Sequence, residues 1–152
     1  KSYLEGKKRA FENDLNAALT RAKSGAELEG AALTLKASHG ANEQAFVAAQ
    51  AELRAFTKSN EYEQTLTKLM LEVKHALGGV TKLEVNSTDL EVAKRAASAA
   101  GLTAEIHASP DIETGVRGYS DTGSSSVTNT LIGRLSRARD SLLSEVASVL
   151  KA

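Results

Sequence analysis

The sequence predicts an α+β chain: a long N-terminal helix leading into a small α/β head with a short sheet and a terminal helix. Three observations carry this. From Lys1 to about Phe56 there is no proline and no strand-like alternation, and Ala, Leu, Glu, Lys and Arg dominate. After Gly78-Gly79 the texture changes to short alternating runs separated by turn residues. The last twenty or so residues return to a helical apolar period. Residues 1–40 are read as a stalk helix and 41–152 as a globular head.

The first segment has a further regularity. Taken at repeating steps of four, four and three, Leu4, Lys8, Phe11, Leu15, Leu19, Ala22, Ala26, Gly30, Leu33 and Ala37 are mostly apolar or small. This is an eleven-residue repeat, and about 3.67 residues per turn is the period that winds a helical pair right-handed. A strict heptad through Leu4, Phe11, Ala18, Gly25 and Ala32 leaves Leu19 and Leu33 unexplained. Gly25, Gly30 and Gly40 each cost about 1 kcal/mol against alanine, so a bend near Gly40 is the most interruption expected. An amphipathic helix folded back on its own domain is the plainer alternative for this stripe.

A second helix is expected from Asn60 to Leu77. Asn60 and Glu63 form a capping-box pattern, the apolar face runs Tyr62, Leu66, Leu69, Met70, Val73, Leu77, and Gly78-Gly79 ends it. Val80–Val85 reads as a strand with Thr81, Leu83 and Val85 on one side. Thr88 with Glu91 offers another capping box for a short helix through Ala100 that stops at Gly101, and Thr103–Ala108 reads as the next strand before a Ser109-Pro110-Asp111 turn. Thr114–Ser120 and Ser124–Asn129 form a hairpin of modest burial about Asp121-Thr122-Gly123. Asn129 or Thr130 caps a final helix with Leu131, Leu135, Ala138, Leu142, Val146 and Val149, widened by Ile132, Leu143 and Leu150, on the face expected to lie against the sheet.

Composition narrows the function. Nineteen Lys+Arg balance nineteen Asp+Glu, with no dense basic run, so the electrostatic drive for nucleic-acid binding is missing. No apolar stretch approaches the ~20 residues of a membrane span, so a soluble chain is expected. There is no cysteine for disulfides, thiol chemistry or thiolate metal sites, which fits a reducing compartment. Only 4% of residues are aromatic and 25 are alanine, which favours long helices over a large core. The start at Lys1, without Met or a leader, points to a fragment or processed chain with N-terminal sequence missing.

Catalytic constellations are scarce. His39, His75 and His107 lack the i, i+4 spacing of a shared metal. Gly78-Gly79 lacks the Lys-Ser/Thr pair of a phosphate loop, and Gly123-Ser124-Ser125-Ser126 lacks the second glycine of a nucleophile elbow. Asp111, Glu113 and Asp121 are loop carboxylates without a partner set by spacing. No metal, cofactor or catalytic residue is assigned. Arg134, Arg137 and Arg139 spread around the last helix, either as a solvated face or as a docking face for another protein.

Thr114-Gly115-Val116-Arg117-Gly118-Tyr119-Ser120-Asp121-Thr122-Gly123, then Val127-Thr128-Asn129-Thr130-Leu131 and Arg134-Leu135, resembles the C-terminal signature of the E subunit of the V-type (A/V-type) ATPase and ATP synthase family. That signature is a Gly-Gly-Val strand, an acidic-Gly turn, a second strand ending in Asp/Glu-Asn-Thr/Ser-Leu, and a helix with Arg-Leu. Gly115, Val116, Gly123, Asn129, Leu131, Arg134 and Leu135 match without a gap, and Ala18–Glu29 looks like the stalk-to-head transition of bacterial members. Thr128 stands where an acidic residue is usual, Gly118 where a branched one is, and Ser125 where an apolar one is.

The resemblance implies a non-catalytic peripheral-stalk (stator) protein, cytoplasmic and peripheral to the membrane as part of a membrane-bound complex for ATP synthesis or ion transport. Its partners would be a smaller helical protein of the G or H type and the catalytic hexamer of A and B subunits. Leu4, Phe11, Leu15, Leu19, Ala22 and Ala26 would then meet the partner helix, and Arg134, Arg137 and Arg139 would belong to the docking face of the head. A self-associating helical adaptor with a small α/β binding head needs only the amphipathic helices and is the alternative; a small-molecule enzyme would further need a pocket of convergent polar groups.

Overall fold

The computed structural model describes residues 2–150, the side chains of Ala147 and Leu150 excepted. Leu150, assigned above to the terminal helix's apolar face, therefore lies outside the described side chains. The elements are α1 (Ser2–Phe56), α2 (Tyr62–Leu77), β1 (Lys82–Val85), a 3-10 turn (Ser87–Asp89), α3 (Leu90–Ala99), β2 (Glu105–Ala108), β3 (Gly115–Tyr119), β4 (Ser126–Thr130) and α4 (Leu131–Leu150). The fold is α+β, with the long helix, small mixed sheet and terminal helix that the sequence predicts. Two compact units divide the chain, Lys1–Glu43 and Gln44–Ala152.

The first unit is helix alone. α1 is helical without interruption across Gly25, Gly30 and Gly40, since favourable Ala, Leu, Glu and Lys neighbours outweigh the cost of isolated glycines.

The second unit is built on a four-stranded sheet of order β2-β1-β3-β4. β1 and β2 pair in parallel, Leu83 opposite Ile106, with α3 as the crossover such pairing requires. β3 pairs antiparallel with β1 on one side and β4 on the other. β3 is thus interior, and Gly115, Val116 and Gly118 are buried; β3 is more deeply placed than expected, while β4 and the serines keep the modest burial read from the sequence.

The helices α2 and α3 form the layer over one face of the sheet. Leu66, Leu69, Met70 and Val73 of α2 meet Leu83, Val85 and Val116 from the strands and Ala93, Ala96 and Ala97 from α3 in one buried cluster. Alternation in β1 is as expected, Leu83 and Val85 inward, Lys82 and Glu84 outward. Tyr62 is fully buried, edge-on to Phe56 with ring centroids 6.0 Å apart. Its hydroxyl donates to Asp89 at 3.1 Å. Burial, with the Asp89 charge and hydrogen bond added, pushes the phenol's pKa far up, so it remains a neutral donor.

Four local expectations are corrected. Asn60 does not cap α2: that helix follows a turn in which Tyr62 N–H donates to the Ser59 carbonyl, its N-cap is Glu61 without a side-chain bond, and Glu63 pairs with Arg95 at 2.7 Å. Thr88 does not open α3 either. The Asn86 side chain accepts from Thr88 N–H and starts the 3-10 turn, while Glu91 pairs with Lys94. β1 and β2 begin later than expected, at Lys82 and Glu105. Finally, α4 lies against the sheet chiefly at its start, where Leu131 packs on the core cluster. It meets the sheet chiefly at β4, its predecessor in the chain, because α2 already occupies that layer. Its apolar residues Leu135, Leu142 and Val146 instead face Ala45, Phe46 and Ala49 of α1. The helix stops are as read: Gly78 and Gly101 have φ of +72° and +63°, where glycine carries no Cβ penalty.

The outward face of the sheet carries a polar cluster. Glu84, whose side chain is 13% exposed, accepts from Lys82 at 2.8 Å, Tyr119 hydroxyl at 2.9 Å and Arg117 at 3.3 Å. The Lys82 hydrogen bond foremost, then that of Tyr119 and the two cations, hold the Glu84 carboxyl below its usual 4.5. A lowered carboxylate pKa contributes stability that is complete above the unfolded value and is lost as pH falls through the folded one. Glu84→Gln is therefore expected to lower stability at pH 7, and its deficit against the unmodified chain should shrink as urea titrations are moved below pH 4. A second substitution probes the sheet directly. A Cβ on Gly115 would stand 2.4 Å from the Asn129 carbonyl oxygen, a backbone atom, so Gly115→Ala should cost about 1–3 kcal/mol of unfolding free energy.

Candidate partner-binding surfaces

Every residue from Ser2 to Ala37 is exposed. That includes the large apolar members of the eleven-residue stripe: Leu4 at 72%, Phe11 at 68%, Leu15 at 48%, Leu19 at 59% and Leu33 at 63%. Ala22 and Ala26 continue the same line, and Lys8 and Gly30 are its polar and small members. Side chains three and four apart share a helix face, so these residues form one edge running about 60 Å along residues 2–43. Scattered exposed leucines are ordinary, but a continuous apolar edge is a mark of association. Leu28 and Leu35 are also exposed. Each lies two residues beyond a stripe member, about half a turn away, so they stand on the opposite side of α1, outside the eleven-residue reading.

The three arginines of α4 occupy different surroundings. Arg134 is turned back into its own domain. Its guanidinium donates to Asn129 Oδ1 at 3.0 and 2.9 Å and pairs with Glu72 of α2. Asn129, 8% exposed, donates in turn to the Leu69 carbonyl at 3.2 Å and to Glu72 at 2.8 Å. The Asn129 hydrogen bond foremost, with Arg134 adding to it, holds the Glu72 carboxyl below the usual carboxylate range. Arg139 lies over the Phe46 ring with 5.0 Å to the centroid, and Arg137 is exposed. Sequence reasoning found Arg134 but not its role in tying α4 to α2. Glu72 and Asn129 are fifty-seven residues apart, and no local pattern joins them.

The histidines are dispersed, His39 on α1, His75 on α2 and His107 on β2. His107 stands beside Glu105 at 3.3 Å, and Asp121 lies against Gly79 at the end of α2. Glu113 pairs with Arg54 at 2.9 Å, fastening the last turn of α1 to the loop before β3. Among the described residues no group of three or more His, Cys, Asp or Glu is placed to hold a metal ion. No described helix is long and apolar enough to cross a membrane.

No family model matches the chain. Curated proteins do. The E subunit of the V-type ATP synthase from Deinococcus radiodurans is 33% identical over 149 residues, covering 98% of this chain and 78% of the relative. The E subunit of the V-type proton ATPase from Deinococcus deserti is 29% identical over 97% of this chain and 77% of its own length. The E subunit of the V-type ATP synthase from Thermus thermophilus is 35% identical over 88% of this chain and 70% of its own length. With an uncovered helical edge, a small mixed sheet capped by α2 and α3, and a third of its residues shared over nearly its whole length, the chain belongs to the E-subunit family of V-type ATP synthases.

Proposed function

We propose that this chain is a non-catalytic peripheral-stalk component of a rotary V-type ATPase or ATP synthase. Residues 1–40 pair with a helical partner of the G/H type, and residues 41–152 form the head that anchors the catalytic hexamer of A and B subunits. The observation that carries this reading is the exposed edge Leu4–Phe11–Leu15–Leu19–Ala22–Ala26. Burying a Leu or Phe side chain is worth about 1.5–3 kcal/mol, so the large residues of the edge together offset an association cost of about 4–15 kcal/mol. The small residues Ala22, Ala26 and Gly30 let a second helix approach closely, and the eleven-residue period favours a nearly straight, gently right-handed pair.

Stiffness is the mechanical point. The catalytic ring is useful only if held against the torque of a turning shaft, and two helices packed along a common edge resist bending better than one. The chain's task in this reading is positional, and it works at the periphery of the membrane in the cytoplasm. On the head, Arg134, Arg137 and Arg139 of α4 are the arginines assigned to hexamer docking, Arg134 being also held by Asn129 and Glu72.

Co-purification with a short helical stalk protein tests the pairing. A one-to-one heterodimer by light scattering is expected; a homodimer that persists in the partner's presence would favour the self-associating adaptor instead. Phe11→Asp or Leu15→Asp should weaken the heterodimer by about 2 kcal/mol, roughly thirtyfold in Kd. Leu28→Asp, on the opposite side of the helix, should leave titration calorimetry unchanged. Equal losses from both faces would overturn the assignment of the edge.

A further inference from the structure

The last turns of α1 belong to the second unit, which begins at Gln44, and their two sides differ. One side is covered by the chain itself. Phe46 is 7% exposed and, with Ala45 and Ala49, faces Leu135, Leu142 and Val146 of α4, while Phe56 stands edge-on to Tyr62 at the end of the helix. The other side carries Gln44, Val47, Ala48, Ala51 and Ala55, all exposed, Val47 at 62%. Their spacing of i, i+3, i+4, i+7 and i+11 puts them on one face of the helix. All but Gln44 are apolar.

This face is in register with the edge assigned to the partner. Carried past Leu33 and Ala37 in the same steps of four, four and three, the eleven-residue repeat reaches Ala41, Gln44, Ala48, Glu52 and Ala55. Val47 and Ala51 lie one residue before Ala48 and Glu52, and the exposed Glu52 marks the rim. Such a face suits one kind of occupant. Its side chains are short, so a second helix can approach at the lower end of the usual ~8–10 Å between axes and meet it along its whole length. A loop or strand crossing it would touch few side-chain atoms.

We infer that the helical partner does not end at residue 40 of this chain but continues along Gln44–Ala55, about 18 Å further, setting larger apolar side chains of its own against Ala48, Ala51 and Ala55. The inference rests on the pairing proposed above and carries its limit into the second unit. It also gives the pair a firm end. The same turns of α1 are fixed to the head by the Arg54–Glu113 and Phe56–Tyr62 contacts, so a partner seated on them bears on the head through packed side chains.

The chain has no cysteine, so a single introduced thiol reports on its own surroundings. Val47→Cys, Ala51→Cys, Phe11→Cys and, on α3, Ser98→Cys are each alkylated with N-ethylmaleimide in the full chain, alone and saturated with the G/H-type helical protein of the co-purification, and the modified chain is followed by mass spectrometry. The partner should slow alkylation about tenfold or more at positions 11, 47 and 51 and leave position 98 unchanged. Protection at position 11 with unchanged rates at 47 and 51 would overturn the inference and leave the pairing of residues 1–40 standing. Unchanged rates at all three would remove that pairing and the inference with it, and equal slowing at position 98 would assign the protection to something other than a seated helix and overturn the inference as well.

Discussion

One buried amide holds the head together across its layers. Asn129 sits at the end of β4, almost wholly covered, and its side chain has both donors and an acceptor to satisfy. It donates to the Leu69 carbonyl and to Glu72 on α2, and it accepts from Arg134 on α4. A polar group that is buried and left unpaired costs about 1–3 kcal/mol. The network therefore fixes where α2 crosses the strand and in which direction α4 leaves it.

Once α2 is seated there, the rest of the packing has few choices. Gly118 of β3 lies so close under Val73 that an added Cβ would stand 2.3 Å from its Cγ1. A branched residue at that place would not fit beneath this α2 without a shift of side chains. Leu66, Leu69, Met70 and Val73 fill the sheet's inner face. With that layer taken, α4 is left to rest on the alanine-rich end of α1. The unusual placement of the terminal helix and the close approach at Gly118 are two results of one helix position.

The stalk reading rests on a different kind of economy. The second unit concentrates the buried side chains; in the first, every residue from Ser2 to Ala37 is exposed. The residues there are strong helix formers, which makes the backbone regular without requiring a core. The edge from Leu4 to Ala37 carries Leu4, Phe11, Leu15, Leu19 and Leu33 exposed, and in the proposed pairing these meet the partner helix. Tyr3, Leu28 and Leu35 are exposed outside it, the two leucines facing away. A helix of this composition supplies length and stiffness, and in the proposed assembly the catalytic chemistry belongs to the A and B subunits.

Much of this was readable before any coordinates, and the boundary is physical. The length of α1, the glycine stops at Gly78 and Gly101, the alternation of Leu83 and Val85, the strand, helix, strand order of β1, α3 and β2 and the Thr130 cap all depend on residues within a few positions of one another. Periodicity and backbone stereochemistry encode such features directly. The sequence by itself also determined that the N-terminal edge is apolar at an eleven-residue spacing. The tertiary structure alone decided that Asn60 and Thr88 lose their capping roles, that β3 is an interior strand, that Arg134 turns inward to Glu72, and that beyond Leu131 apolar residues of α4 face α1. A cap is worth about 1 kcal/mol and several candidates compete within one turn, so neighbours far along the chain choose among them. Where α4 rests was likewise settled by a helix some sixty residues earlier, α2, having already covered the sheet.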